Sequence, residues 1–153
     1  MQLSPNFTLA QLIYSDTANR RGIDNHPSDE HVANLRTLAA ALEMVQALLG
    51  STLQISSVYR GAALNKAVGG ARDSRHTLGL AADFTCAKFG PPLAVAQAIA
   101  ASPLRFDQLI HEYGRWVHLG LAPVGAEPRL QTLTICNSQG GYLDGLLDCP
   151  SSG

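Results

Sequence analysis

A long amphipathic helix is the clearest element in the pattern of apolar and polar positions. Between Ser28 and Gly50, apolar residues recur every three or four positions, and Asp29 and Glu30 directly follow Ser28. A serine cap, acidic residues in the first turn and a glycine after the last apolar residue are typical helix ends. The pattern therefore predicts a helix between Ser28 and Gly50 that forms one wall of the core.

Short helices and strands account for most of the remaining pattern. Thr8 is placed to cap a helix that runs to Ile13, and the polar residues 15–28 predict a loop. Further helices are predicted for 61–68 and 91–101, a glycine-rich loop for 69–79, and strands for 53–58, 80–84, 106–112, 115–121 and 130–136. This order predicts an α+β fold with a small antiparallel central sheet and flanking helices.

Length, composition and charge restrict the class of protein. The chain has 153 residues, 46% hydrophobic and 15% charged, which predicts a single folded domain over residues 1–153. The formal net charge of −1 argues against a nucleic-acid partner, because such partners are bound through excess Lys and Arg. The first residues contain neither a basic segment nor a long apolar run, so we expect cytoplasmic synthesis without a signal peptide and no membrane insertion.

The three cysteines, Cys86, Cys136 and Cys149, are widely spaced and form no Cys-x-x-Cys pair. This spacing favours reduced, mostly buried thiols, with a Cys136–Cys149 disulfide as the alternative. The segment 137–153 is rich in Gly, Ser and Asp, and we expect its end to fray.

Candidate metal ligands stand in two separate stretches of the chain. His76 and Asp83 lie seven positions apart, and Asp83 falls within the apolar run 80–84. A carboxylate in such a strand needs a partner, which a metal ion or a salt bridge would supply. Imidazole and carboxylate groups are zinc ligands, and a catalytic zinc takes three protein ligands plus a water. His118 is the best candidate for the third ligand, so the sequence predicts a zinc site of His76, Asp83 and His118.

Two candidates for a general base, His111 and Glu112, precede His118. The length of the predicted hairpin loop decides between them. A two-residue loop would place His111 directly opposite His118, whereas a three-residue loop would place Glu112 opposite Trp116, on the face of His118. The residues alone leave both assignments open.

Motifs around these residues resemble those of the M15 family of zinc D-Ala-D-Ala peptidases. The order Ser-x-His-x-x-Gly-x-Ala-x-Asp from Ser74 to Asp83, followed by Trp-Val-His ending at His118, is similar to the short single-domain members of bacteriophages and prophages. The likeness is clearest over residues 53–121. It implies a Hedgehog/DD-peptidase-like fold, a Zn²⁺ cofactor and a metallopeptidase that hydrolyses peptide bonds.

The resemblance also implies roles for individual residues. It favours Glu112 as the base, since a Glu before the Trp-Val-His element is usual in the phage-type members. It implies that Arg60 contacts the substrate carbonyl or its oxyanion, a role that suits a fixed guanidinium. Ser74 either donates a hydrogen bond to the substrate or only shapes its loop.

Three polar residues outside these motifs are expected to have minor roles. Asp107 would either support a zinc histidine or lie on the surface. His26 and His31 are expected to be solvated.

The implied function is hydrolysis of peptidoglycan stem peptides by metal-activated water, without a covalent acyl-enzyme. The cleaved bond would be D-Ala-D-Ala, as in a carboxypeptidase, or L-Ala-D-Glu, as in some phage lysins. We expect a monomer that acts on the bacterial cell wall after release, or as a phage, virion-associated or endolysin-like protein. The alternative is a non-catalytic zinc-binding structural or wall-binding module of the same fold.

Overall fold

Helices and strands follow one another along residues 1–150, the part of the chain that the computed structural model describes. The helices are α1 (Leu9–Ile13), α2 (Asp16–Arg21), α3 (Asp29–Leu49), α4 (Ala62–Ala67) and α5 (Pro92–Ala100), with a 3-10 helix at Arg75–Leu78. The strands are β1 (Gln2–Ser4), β2 (Phe7–Thr8), β3 (Gln54–Ser57), β4 (Ala81–Thr85), β5 (Gln108–Glu112), β6 (Trp116–Gly120), β7 (Gln131–Ile135) and β8 (Leu143–Asp144). The fraying predicted for the end of the chain concerns residues 151–153, which lie outside the described residues.

Six strands form the main sheet, in the order β3-β4-β6-β5-β7-β8, while β1 and β2 pair separately. The α+β prediction is confirmed, but the prediction of an antiparallel sheet is wrong at one pair, because β5 and β7 run parallel. The register explains this pairing. Gly120, at the end of β6, and Gln131, at the start of β7, both lie opposite Gln108. Residues 121–130 therefore only cross the sheet at the start of β5. From there, β7 runs in the same direction as β5.

Helices α3 and α5 and one face of the main sheet share a single apolar cluster, and we call this face the core face. All three elements supply fully buried members, among them Leu35, Leu38, Leu42, Val95, Ile99, Phe84, Leu109, Val117 and Leu119. Burial of this apolar surface is the main stabilising contribution to the fold. The opposite side, which we call the site face, is free to carry polar groups.

The predicted long helix is confirmed with its ends. Ser28 Oγ accepts a hydrogen bond from the His31 amide, and Gly50 closes α3 in the left-handed conformation at φ 67°. By length and apolar composition alone, α3 would also suffice to cross a membrane. In the structure, its apolar stripe is part of the core, with Leu35, Leu38 and Leu42 fully buried.

The polar segment 15–28 contains a helix that the sequence did not predict. Ser15 caps α2 by accepting a hydrogen bond from the Ala18 amide, and Gly22 ends it in the left-handed conformation at φ 65°. Only Ala18 of this helix is buried, so the segment has no apolar stripe from which a helix could be predicted.

The end of the described chain is tied to the sheet by a disulfide between Cys136 and Cys149, whose Cα atoms lie 5.3 Å apart. The favoured prediction of reduced thiols is therefore wrong for this pair, whereas Cys86 is a buried free thiol as predicted. The bridge is a tertiary contact, because Cys136 directly follows β7 and residues 137–148 return to it past β8. Thr134 Oγ1 adds to the attachment by donating to the Gly145 carbonyl and accepting from the Leu147 amide.

Candidate metal centre

The side chains of His76, Asp83 and His118 converge on the site face. His76 lies in the 3-10 helix, Asp83 in β4 and His118 in β6. Asp83 Oδ2 is 3.2 Å from His76 Nε2, and Asp83 Oδ1 is 2.9 Å from His118 Nδ1. One ligand atom from each residue lies within 4.8 Å of the other two. The structure thus brings together the three residues that the sequence singled out.

Strand register explains why two of these side chains meet. Asp83 pairs directly with His118 across the antiparallel β4–β6 ladder. Since side chains alternate along a strand, both project from the site face, whereas Phe84 and Val117 project into the core.

The 3-10 helix brings the third side chain to the same point. Ser74 caps this helix, and Gly79 ends it at φ 76°, where the chain turns into β4. A Cβ atom at Gly79 would lie 3.0 Å from the His31 carbonyl oxygen and from Leu35 Cγ. Both the backbone conformation and the packing against α3 therefore require glycine at this position.

The orientation of the His76 ring is set by a backbone contact. Its Nδ1 is 2.6 Å from the Val58 carbonyl oxygen, an acceptor, so Nδ1 carries the proton. Nε2 is the ring nitrogen that faces Asp83. A histidine whose second nitrogen donates to a carbonyl is the usual arrangement of a metal ligand.

Asp83 is held as a carboxylate. Burial by itself would raise its pKa, but hydrogen bonds from the His118 and His76 rings outweigh this effect and hold the pKa well below its usual range. The site therefore offers an ionised oxygen ligand between two imidazole nitrogens.

This donor set fits zinc. Two nitrogens and one carboxylate oxygen are typical of catalytic zinc sites, and ligand atoms about 2.1 Å from a tetrahedral ion lie roughly 3.4 Å from one another. In the structure, one ligand atom from each of the three residues lies within 4.8 Å of the other two, and each histidine already faces one of the Asp83 oxygens. His76, Asp83 and His118 could therefore hold the ion.

The β5–β6 hairpin separates the two candidate bases. Glu112 pairs with Trp116, so the loop has three residues, Tyr113 to Arg115, and Glu112 projects from the site face. Its Oε1 is 3.6 Å from His118 Nδ1. Burial, together with the nearby Asp83 carboxylate, raises the pKa of Glu112, although His118 and Arg60 oppose this in part.

His111 points the other way. It is buried on the opposite side of β5, and its Nδ1 lies 2.9 Å from the Leu147 carbonyl oxygen. This contact gives His111 a structural role in holding the chain end. Of the two candidates, Glu112 is therefore the one beside the metal ligands.

Arg60 lies at the edge of the same site. Burial lowers the pKa of its guanidinium, and the nearby carboxylates of Asp83 and Glu112 oppose this only in part. Its NH2 group is 3.4 Å from Ser74 Oγ, and its buried Nε has no hydrogen-bond partner among the described residues. A buried donor of this kind is available to a ligand.

Asn25 positions Arg60, a role that the sequence did not indicate. Its Nδ2 donates to the Tyr59 carbonyl at 3.1 Å, and its Oδ1 accepts from the Gly61 amide at 2.7 Å. The two contacts hold the backbone on both sides of Arg60. Asn25 lies in an irregular segment far away in the chain, so no local pattern reveals this clamp.

Ser74 has a clear role in shaping its loop. Its Oγ accepts a hydrogen bond from the His76 amide at 3.3 Å and receives the Arg60 contact. Ser74 also lines the cleft, and its predicted hydrogen bond to a substrate stays a prediction.

Two expectations for polar residues outside the motifs are wrong. His31 is half-buried, with its Nδ1 3.1 Å from the Tyr59 hydroxyl, whereas His26 is exposed as predicted. Asp107 neither lies on the surface nor contacts a zinc histidine. It is buried, and its carboxylate accepts hydrogen bonds from Arg75 and Arg129.

A cleft with a volume of about 1080 Å³ surrounds the convergent side chains. One wall is formed by the loop 68–76, and the floor by the site face of β4, β6, β5 and β7. Glu112 and Trp116 line one end, and Arg75 and Arg129 line another part. Tyr142, from the segment between the two bridged cysteines, also lines the cleft.

Comparison with known proteins identifies the family. A family model described as Peptidase M15 matches residues 5–120, which include His76, Asp83, Glu112 and His118. No curated protein matches the chain. M15 peptidases depend in general on zinc, and the ligand set on the site face agrees with that requirement. The chain belongs to the M15 peptidase family.

Proposed function

We propose that the protein is a zinc-dependent peptidase that hydrolyses the stem peptides of peptidoglycan. The observation that carries this proposal is the convergence of His76, Asp83 and His118 in a cleft beside Glu112. Three protein ligands leave a coordination position free for water, as catalytic zinc sites require. The ligands line a cleft of about 1080 Å³, which offers room for a peptide beside them.

The residues around the ligands divide the chemistry between them. A zinc ion, when bound, would lower the pKa of a coordinated water and polarise the substrate carbonyl. Glu112 accepts a proton from the attacking water and returns it to the leaving amine, for which its raised pKa is suited. Arg60 donates N–H groups to the carbonyl oxygen as negative charge develops on it. Ser74 holds Arg60 and the 3-10 helix in place.

The finer assignment follows from the motifs. Their likeness to the phage and prophage members supports a Hedgehog/DD-peptidase-like fold, a single domain and a monomer that acts on the bacterial cell wall. The bond is D-Ala-D-Ala or L-Ala-D-Glu. The balanced net charge supports a protein without nucleic-acid or membrane partners.

The alternative, a non-catalytic zinc-binding module, would need only the three ligands. Glu112, with its raised pKa, and Arg60, with a buried unpartnered Nε, are additional features beside them. A structural zinc site gains nothing from a neighbouring base and a free guanidinium donor. These two residues therefore favour catalysis.

The decisive experiment is mass spectrometry of purified peptidoglycan after incubation with zinc-loaded protein. We expect shortened or separated stem peptides whose masses identify the bond. A matched sample of His118→Ala, checked for folding by circular dichroism and for zinc by elemental analysis, should leave the peptides intact. Intact peptides with zinc-loaded wild-type protein would support the non-catalytic module instead.

A further inference from the structure

Two arginines of the cleft converge on one carboxylate buried beneath its surface. Asp107 Oδ2 is 2.8 Å from the Arg129 NH2 group and 3.4 Å from the Arg75 NH2 group. Asp107 Oδ1 accepts from the Arg129 amide at 3.0 Å and from its Nε at 3.1 Å. Asp107 is 2% exposed, so both guanidiniums are held by an acceptor that lies beneath the cleft surface.

The arrangement leaves positive charge facing the cleft. One carboxylate balances only one of the two guanidiniums, and the contacts to Asp107 use a minority of their N–H donors. The side chains of Arg75 and Arg129 remain 30% and 54% exposed. Two forked donors fixed around a common acceptor are suited to bind a carboxylate in a defined geometry.

The position of the pair relative to the metal ligands follows from the strand register. The Arg75 side chain lies over Gly120, since a Cβ atom there would be 3.9 Å from Arg75 Cγ. Gly120 is two residues beyond His118 on β6, or roughly 7 Å along the strand. Glu112 and Trp116 lie on the other side of His118. The metal centre therefore separates the base from the arginine pair.

This distance corresponds to a short stretch of substrate. An extended peptide advances roughly 3.3–3.6 Å per residue. A peptide with its scissile carbonyl at the metal centre would therefore bring a carboxylate one or two residues away to the arginine pair. Two other acids of the cleft, Asp73 and Asp144, are both exposed to solvent, which would screen their effect on such a group.

The backbone directly after Arg129 adopts an unfavourable conformation. Leu130 follows it with a positive φ of 53°, an unfavourable conformation for this residue type, as the chain turns into β7. The double hydrogen bond from Arg129 to Asp107 holds this turn. Arg129 also lies beyond residues 5–120, so this half of the pair comes from outside the segment that the family model matches.

We propose that Arg75 and Arg129, held by Asp107, form a subsite that binds a free carboxylate of the peptide substrate and so determines which stem peptides are accepted. This inference rests on the proposed function and adds a specificity determinant to it. The carboxylate is either the carboxyl terminus of the peptide or a carboxyl group within it, one or two residues from the scissile bond.

The test compares peptides that differ only in that group. Three synthetic stem peptides are needed: one with all carboxylates free, one amidated at the carboxyl terminus, and one amidated at the internal glutamate. With zinc-loaded wild-type protein, we expect one amidation to lower kcat/KM roughly ten- to a hundredfold, the range for hydrogen bonds between charged groups. The peptide that suffers this loss identifies the source of the carboxylate.

The variants then assign the effect. Arg129→Gln and Arg75→Gln should each reduce the acid-to-amide ratio of kcat/KM by roughly tenfold or more. Arg105→Gln is the matched control, because Arg105 is an exposed arginine paired with Glu127 outside the cleft. An acid-to-amide ratio that is unchanged in both arginine variants, or near one in wild type, would overturn the proposal.

Direct binding separates this proposal from the proposed function. Calorimetric titration of the same peptides into zinc-loaded Glu112→Gln protein, which lacks the base, measures the acid-to-amide preference apart from hydrolysis. If wild-type protein cleaves no peptide, the peptidase proposal fails. A binding preference that Arg129→Gln removes still supports the subsite, and the absence of a preference excludes it. Should Arg129→Gln fail to fold, Arg129→Lys, which keeps the charge but loses the fork, should retain an intermediate preference.

Discussion

The two faces of the main sheet differ in chemistry although they are built from the same strands. On the core face, Leu109, Val117 and Leu119 are fully buried against other apolar side chains. The site face carries Glu112 and His118 beside a small apolar cluster of Ile110, Leu133 and Ile135. One position along a strand therefore separates a residue that stabilises the fold from a residue that is placed for chemistry.

The comparison is sharpest between His111 and Glu112. They are adjacent in β5, both can accept protons, and the sequence favours neither on composition alone. The hairpin register sends Glu112 to the ligands and His111 to the Leu147 carbonyl. The same alternation that buries a core thus selects the candidate base.

The largest expected effect comes from substituting Glu112, and a substitution of its neighbour His111 provides the comparison. Glu112→Gln should lower kcat by roughly 10²–10⁴-fold, the range for loss of a general base, with zinc content unchanged. His111→Ala should leave kcat within a few-fold but lower the free energy of unfolding by about 1–3 kcal/mol, because the Leu147 carbonyl loses its partner. Steady-state kinetics and urea denaturation of both variants would decide; the reverse pattern would move the base to His111.

A core-face substitution beside a ligand should act on stability alone. Leu119→Ala removes a fully buried side chain next to His118 and should lower the free energy of unfolding by about 2–5 kcal/mol. Zinc stoichiometry below the unfolding transition should stay at the wild-type value. Leu143→Ala, the same change at an exposed position of β8, is the control and should cost about 0.5 kcal/mol or less. Loss of zinc from folded Leu119→Ala would show that the faces are not independent.

Substitution of Arg60 tests whether a residue other than the metal ligands and Glu112 contributes to catalysis. Arg60→Ala should reduce turnover of a stem peptide by roughly 10²–10³-fold, the effect of removing one donor to a developing oxyanion. Arg60→Lys should restore activity in part, since lysine keeps the charge without the planar fork. Arg20→Ala, at an exposed position of α2, provides the control. A loss of only a few-fold in Arg60→Ala would leave the residue a structural role.

The smallest expected effect concerns Asp107, which directly precedes β5 and lies buried beneath Arg75 and Arg129. Hydrogen bonds from Arg129 lower its pKa, and burial opposes them only in part. A carboxylate with a lowered pKa stabilises the folded state above its unfolded pKa and loses this contribution as the pH falls through the folded value. Asp107→Asn should therefore be less stable than wild type by about 1–3 kcal/mol at pH 7.

That difference should shrink below about pH 4, where the carboxylate of the unfolded chain takes up a proton. Denaturation of metal-free wild-type and Asp107→Asn protein over a pH series would measure it. A difference that stays constant down to pH 2 would mean that the ion pairs with Arg75 and Arg129 contribute little.

Much of the site was predictable because its signals are local. The spacing of His76 and Asp83, the apolar run around Asp83 and the alternation near His118 all lie within a few residues, and strand geometry turns each into a direction. The long helix α3 was predictable for the same reason, because its cap, stripe and stop glycine are neighbours in sequence. The local pattern alone leaves the choice between Glu112 and His111 open, because it depends on one residue of loop length, and the resemblance to the M15 motifs is what favours Glu112.

Only the tertiary structure decided the contacts between distant segments. The parallel pairing of β5 with β7 depends on where residues 121–130 cross the sheet, and the Cys136–Cys149 bridge depends on the return of the chain end. The Asn25 clamp on Arg60 and the convergence of Arg75 and Arg129 on Asp107 likewise join residues that share no local pattern. Periodicity in a sequence specifies which face a side chain takes, but the partner that it meets is set by how the elements pack.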